Sequence, residues 1–132
     1  MAHWLMKSEP SSYGWDDLVR DGGTEWDGVR NAAARLHLKA MKAGEEAFFY
    51  HSGAERAVVG IMRIAREARP DPKDPDWVSV AVEPVRPLGP VELKAIKADA
   101  RLARMELIRQ SRLSVAPVRD DEWAAVIELA GK

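Results

Sequence analysis

The stretch Trp26-Asp27-Gly28-Val29-Arg30-Asn31 leads into a helix-forming run over residues 30–41 and marks a corner of the fold. An indole offers a flat face on which a planar ring can stack, and Gly28 lets the backbone take a positive φ or approach a ligand closely. Arg30 and Asn31 can hydrogen-bond an oxyanion or the edge of a base. Free N–H groups at the helix N-terminus favour negative charge there. The stretch therefore predicts a binding site at the start of a helix.

A purely structural interpretation of the same stretch is also open. Trp26 would then be a buried aromatic at a strand-to-helix corner, and Asp27 or Asn31 would cap the helix, as short polar side chains often do. This role needs no ligand. Residues outside the stretch have to distinguish the two interpretations.

Strands are predicted by runs rich in β-branched and aromatic residues, at 47–50, 57–65 and 77–85. Turn-forming residues separate them at Ser52-Gly53 and over 70–76. The segment Pro87-Leu88-Gly89-Pro90 is expected to break the chain before a helix near 91–97.

The remaining elements complete an α+β pattern. The ends of the chain contribute strands at Trp4-Leu5-Met6 and 113–118, a short helix at 15–19 and a terminal helix that begins at Asp120. The helices do not alternate regularly with the strands, as they do in a doubly wound sheet. We therefore expect an α+β fold with a strongly curved sheet.

The composition predicts one domain over residues 1–132 and excludes several kinds of site. The 132 residues are 46% hydrophobic, which is enough for a core without disulfides or metals. The absence of cysteine excludes a thiol nucleophile and a cysteine zinc site, and His3, His37 and His51 lack the spacing of paired ligands. We therefore expect no metal, no cofactor and no membrane span.

Charge is distributed unevenly, although the net charge is only −1. Residues 1–29 hold two basic and six acidic side chains, whereas residues 86–119 hold eight basic and three acidic ones. A protein that coats duplexes by charge alone is normally basic overall, so nucleic-acid binding here would be local and centred on a pocket. Alternatively, Lys94, Lys97, Arg101 and Arg104 only solvate helix faces.

Three further blocks stand in order around the opening stretch: Lys7-Ser8-Glu9-Pro10, Phe48-Phe49-Tyr50-His51-Ser52 and Arg109-Gln110-Ser111-Arg112-Leu113-Ser114-Val115. Together the four blocks resemble the EVE domain, a PUA-like family with bacterial members. After Asn31, the family usually carries a Tyr-Gln-Ala-Arg-Asn run, whereas this chain has Ala32, Ala33 and Leu36 at the first, second and fifth of those positions.

The resemblance implies a PUA-like mixed β-barrel, or pseudo-barrel, flanked by helices. It also implies a non-enzymatic, monomeric, cytoplasmic bacterial module that reads a flipped base in DNA or RNA, with methylated or hydroxymethylated cytosine among the candidates. The family's pocket residues correspond here to Lys7, Ser8, Glu9, Trp26, Asn31, Tyr50, His51 and Ser52. Its phosphate or rim contacts correspond to Arg30, Arg109, Gln110, Ser111, Arg112 and Ser114.

An alternative function is a small amidohydrolase that acts on acylated pyrimidine nucleosides, because related PUA-like barrels use a lysine, a hydroxyl and a carboxylate. Lys7, Ser8 and Glu9 provide these types, but neighbouring residues on a strand alternate faces, which opposes a shared site. A protein-interaction module is a third possibility. Structural roles are also open: Lys7 as an ion-pair partner, and Tyr50 and His51 as core residues.

Overall fold

The computed structural model describes residues 1–131 and confirms the α+β class. Its strands are β1 (His3–Ser8), β2 (Thr24–Trp26), β3 (Glu46–His51), β4 (Ala57–Asp71), β5 (Asp74–Glu92) and β6 (Val115–Val118). Its α-helices are α1 (Trp15–Asp21), α2 (Ala32–Ala40), α3 (Leu93–Ala98), α4 (Glu106–Arg109) and α5 (Asp120–Ala130). The predicted segments correspond to most of these elements, but β2 and α4 were not predicted.

The six strands form one mixed sheet in the order β2-β5-β4-β3-β1-β6. Of the pairings in the described part of the chain, the one between β1 and β3 is parallel and the other four are antiparallel. Within residues 1–131 the edge strands β2 and β6 do not pair, so the expected barrel is corrected to an open sheet. Both edge strands are short, with three and four residues, and each is bonded along its length to one neighbour only.

The core lies on both faces of this sheet because side chains alternate along each strand. On β3, Phe49 packs edge-on against Trp15 and Trp26, with ring centroids 5.7 and 5.5 Å away. Phe48 points to the other face and stacks on Trp123 of α5 at 3.8 Å. Trp26 is therefore part of the wall between the core and the surface.

The predicted break at residues 87–90 is wrong, because β5 continues to Glu92. Pro84 lies opposite Met62 and Pro87 lies opposite Gly60, with register shifts along the pair. In the described part of the chain β2 bonds to β5 only over Val80–Val82, so the other edge of β5 carries no strand beyond that point. Proline is tolerated on such an edge because its missing N–H has no partner to lose.

Candidate functional site

A cavity of about 680 Å³ opens where β1 and β2 end. Its size falls within the usual range for small-ligand pockets, about 300–1,000 Å³. We call it the main cavity. Among the predicted residues, the ones that line it are Lys7, Ser8, Glu9, Trp26, Arg30 and Ser114. Three further residues of the opening stretch, Asp27, Gly28 and Val29, also line it. The remaining lining residues, which no sequence pattern indicates, are Ser12, Tyr13, Thr24, Glu25 and Lys73.

Trp26 is held rigidly at the cavity wall. It ends β2, opposite Val80 of β5, and its residue surface is 8% exposed. Phe49 fixes the orientation of the indole from the core side. The structural and functional interpretations of Trp26 are therefore compatible, since the same ring packs on the core and borders the cavity.

Asp71 holds the loop that follows Trp26. Its buried carboxylate accepts hydrogen bonds from the Gly28 N–H at 2.9 Å, the Lys73 N–H at 2.8 Å and the Arg30 guanidinium at 3.0 Å. Burial alone would raise the pKa of Asp71, but these three donors outweigh it and lower the pKa to about 2. Gly28 takes a φ of +74°, which glycine adopts readily.

A second ionised carboxylate, Glu25, lies at the same wall. The Arg66 guanidinium donates to both of its oxygens, at 2.9 and 2.6 Å, and the Ser79 hydroxyl donates at 2.8 Å. The Arg66 hydrogen bonds, with a contribution from Ser79, lower the pKa of Glu25 to about 2 despite partial burial. The cavity wall thus carries fixed negative as well as positive charge.

Lys7 and Ser8 have separate hydrogen-bond partners, although both line the cavity together with Glu9. The Lys7 amine donates to the Ser111 carbonyl at 2.8 Å, and the Ser8 hydroxyl donates to the Tyr13 carbonyl. Burial lowers the pKa of Lys7. No ion pair joins Lys7 to Glu9 or Asp27 in the described chain. The Asp27 carboxylate instead lies 3.5 Å from the Lys73 amine. These side chains do not form the catalytic set that the amidohydrolase alternative requires.

The other predicted residues lie outside the main cavity. Arg109, Gln110, Ser111 and Arg112 border a second cavity of about 380 Å³, together with Asn31, Ala33 and Leu113. The Asn31 side chain caps α2 by accepting the Ala34 N–H at 2.9 Å. Of the three positions that depart from the family pattern, Ala33 lines this cavity, whereas Ala32 and Leu36 do not.

The Tyr50-His51-Ser52 block supports the fold around the site. Tyr50 is 2% exposed in the core cluster on the opposite face, and burial raises its pKa. The Nε2 of His51 accepts the Trp15 N–H at 3.0 Å and so holds the start of α1. The Ser52 N–H donates to the Ser8 carbonyl at 2.9 Å. None of these three residues is among those that line the main cavity in the described part of the chain.

Sequence reasoning missed Asp71 and Lys73 because both lie at the tip of the β4–β5 hairpin, about 40 residues from the loop they meet. Asp71 stands between Pro70 and Pro72, and this pattern indicates only a turn. No local signal separates a turn-forming aspartate from one that reaches across to another loop.

The described residues support neither a metal site nor a membrane-spanning helix. No group of three or more metal-ligating side chains comes together over residues 1–131. In the same range, no helix has the length and apolar character needed to cross a membrane.

Several solved structures closely match this chain. A Rhodopseudomonas palustris protein is 48% identical with a TM-score of 0.94, covering 99% of this chain and 94% of its own. An Agrobacterium tumefaciens protein is 39% identical with a TM-score of 0.97 and the same coverages. A Zymomonas mobilis ASCH protein, 11% identical with a TM-score of 0.60 over 96% of this chain and 97% of its own, shares the fold alone.

The human relative carries a ligand. Human THYN1, solved in complex with DNA containing 5-methylcytosine, is 35% identical with a TM-score of 0.91, covering 100% of this chain and 99% of that one. Human thymocyte nuclear protein 1 is 39% identical over 170 residues, spanning 99% of this chain and 75% of its own length. A DNA-bound relative agrees with the prediction of a binding module rather than an enzyme. The family model of the EVE domain matches residues 2–129, and this chain belongs to the EVE domain family.

Proposed function

We propose that this protein binds DNA or RNA and holds a flipped base, a methylated or hydroxymethylated cytosine, in the main cavity beside Trp26. The observation that carries the proposal is the rigid indole at the wall of a base-sized cavity. The DNA complex of human THYN1 supports the same class of ligand. Residues of a single chain line the main cavity, so a monomer would be enough to form the binding site. We propose that this monomer acts in the bacterial cytoplasm.

The wall residues provide what a base reader needs. The part of the Trp26 indole that faces the cavity can contact a planar ring, and such contacts tolerate any base because each has a π face. An added methyl group contributes only about 1–3 kcal/mol of discrimination, so polar contacts to the base edge must add to it. Glu25, ionised and fixed by Arg66, can accept a hydrogen bond from an exocyclic amine.

The second cavity is the proposed contact for flanking phosphates. Arg112 is exposed and makes no ion pair within residues 1–131, whereas the Arg109 guanidinium lies 2.9 Å from the Glu106 carboxylate. Lys7 and Ser111, joined by a hydrogen bond, connect the main cavity to the second one. A strand with its base beside Trp26 could therefore place a neighbouring phosphate near Arg112.

The test compares Trp26→Leu with Trp123→Leu in binding to oligonucleotides that carry 5-methylcytosine or cytosine. Both tryptophans are nearly buried, 8% and 9% exposed, and both pack on a phenylalanine of β3. Only Trp26 borders the cavity, so we expect its variant alone to lose affinity, by about 1–3 kcal/mol. Equal affinities of the wild type and the folded Trp26→Leu variant would disprove the proposal.

A further inference from the structure

A third cavity, of about 480 Å³, lies beyond the loop that connects β3 to β4. We call it the basic cavity. It is bordered by residues 54–56, by the end of β5 and by α3. Its charged side chains are Arg56, Lys94, Lys97, Glu55 and Glu92. All five are exposed to solvent.

The three cations of the basic cavity are not neutralised by the protein. Arg56, Lys94 and Lys97 make no ion pair and no side-chain hydrogen bond within residues 1–131, whereas many other arginines of the chain, such as Arg66 and Arg101, are paired with carboxylates. One of the two carboxylates, Glu55, is itself held by the ring of His51. The cavity therefore favours an anion, and the cations are available to bind one.

The backbone at Arg56 supports a role for its side chain. Arg56 has a φ of +47° and is the only non-glycine residue with a positive φ over residues 1–131. Its carbonyl accepts the Leu93 N–H at 2.8 Å, which fixes the loop against the start of α3. Glycine would adopt this conformation without a steric cost. An arginine in a strained position is typical of a site where the side chain has a function.

The same loop also contacts two residues that line the main cavity, Ser8 and Glu9. The Ser52 N–H is bonded to the Ser8 carbonyl, and Gly53 is so close to Glu9 that an added Cβ would lie 2.6 Å from its carboxylate. Gly53 and Arg56 are three residues apart, a span of at most about 11 Å. About three nucleotides of a strand cover that distance at a rise of roughly 3.4 Å each.

We propose that the basic cavity binds a backbone phosphate of the same nucleic acid strand whose base enters the main cavity. Arg56, Lys94 and Lys97 contact that phosphate, and the strand crosses the loop at residues 53–56. This inference rests on the proposed function for the position of the strand. The anion site itself follows from the charges and the cavity alone.

The anion site is tested with pyrophosphate and the 15N-labelled protein. Titration is expected to shift the amide resonances of Arg56 and Lys94 in the wild type, and not in the double variant Lys94→Ala/Lys97→Ala. Shifts that are absent in the wild type, or equal in the double variant, would overturn the site. This measurement needs no oligonucleotide and so does not depend on the proposed function.

The nucleic-acid source is tested by oligonucleotide binding. The double variant should bind methylated and unmethylated oligonucleotides alike about fivefold to tenfold more weakly than the wild type. The slope of its log K against log salt should fall by about 0.7–0.9 per lost contact. Arg56→Gly should bind more weakly and have a higher Tm. The control is Lys39→Ala, because Lys39 is exposed on α2 and borders none of the cavities described here.

The outcomes separate the two proposals. If pyrophosphate shifts the amides but the double variant binds oligonucleotides as Lys39→Ala does, the ligand is a free phosphate and the inference about the strand is wrong. If the wild type prefers neither methylated nor hydroxymethylated cytosine over cytosine, the function proposed for Trp26 fails. A reduced salt slope in the double variant would still support the phosphate contact in that case.

Discussion

Asp71 illustrates at the residue scale how one buried side chain can organise a site. Its carboxylate receives donors from two loops, and it is ionised at neutral pH because these donors stabilise the charge. Glu25 is similarly held by Arg66. Because both carboxylates hold their donors in the ionised form, the shape of the main cavity should depend on pH.

Stability should fall as the pH drops from about 4.5 to about 2, because the pKa of Glu25 falls from 4.5 and that of Asp71 from 3.8, both to about 2 in the folded state. A carboxylate whose pKa is lowered in the folded state stabilises the protein at every pH above its ordinary pKa, and this stabilisation is lost on acidification. For Asp71 the stabilisation is about 2 kcal/mol. Urea unfolding of Asp71→Asn should show that loss at pH 7 and a shallower dependence on pH below 4. Exposed Asp16→Asn is the control, and identical pH profiles for Asp71→Asn and the wild type would contradict the assignment.

At the scale of elements, α2 connects the two cavities through its first residues. Asn31 caps the helix, while the loop before it borders the main cavity and Ala33 borders the second one. The start of α2 therefore borders the second cavity directly after the loop that lines the main one. Its cap is the local interaction that sets where the helix begins.

Removing the cap should destabilise the protein. Asn31→Ala should lower the free energy of unfolding by about 1 kcal/mol, because the Ala34 N–H loses its acceptor. Asn31→Ser should retain most of the stability, since a serine hydroxyl also caps a helix. Urea unfolding measures the stability of the two variants and of the wild type. Equal stability of all three would show that the cap contributes nothing.

At the scale of the whole molecule, local charge outweighs net charge. The chain has a net charge of −1, yet cations without an ion-pair partner among residues 1–131 lie at two separate cavities, Arg112 at the second cavity and Arg56, Lys94 and Lys97 at the basic cavity. The wall of the main cavity carries the paired carboxylates Glu25 and Asp27. Binding should therefore depend on salt through a few contacts, rather than through a uniformly basic surface.

Salt dependence should distinguish Arg112 from Arg109. Arg112→Ala is expected to lower the slope of log K against log salt by about 0.7–0.9, the effect of one lost phosphate contact. Arg109→Ala should lower it less, because the Arg109 guanidinium is already paired with Glu106. Fluorescence anisotropy with labelled oligonucleotides over a salt series measures both slopes. An Arg112→Ala slope equal to that of the wild type would assign Arg112 a structural role.

The sequence by itself determined the features that depend on local chemistry. The β-branched runs predicted β3, β4 and β5, the alanine-rich run predicted α2, and Asn31 was one of two predicted caps. Four blocks in order identified the EVE family, now shown by the match over residues 2–129. Local signals failed at β5, where the prolines near 87–90 indicated a break although they lie on an edge that needs no N–H donor.

Only the tertiary structure decided which residues share a cavity. Lys7 and Ser114 both line the main cavity, whereas Asn31 and Arg112 border another one, and Tyr50 lies in the core on the opposite face. The role of Asp71 depends on the β4–β5 hairpin, which brings its carboxylate within hydrogen-bond distance of the Gly28 N–H. The physical reason is that strand pairing and hairpin curvature set distances between residues far apart in sequence, and no periodicity or spacing in the chain encodes them.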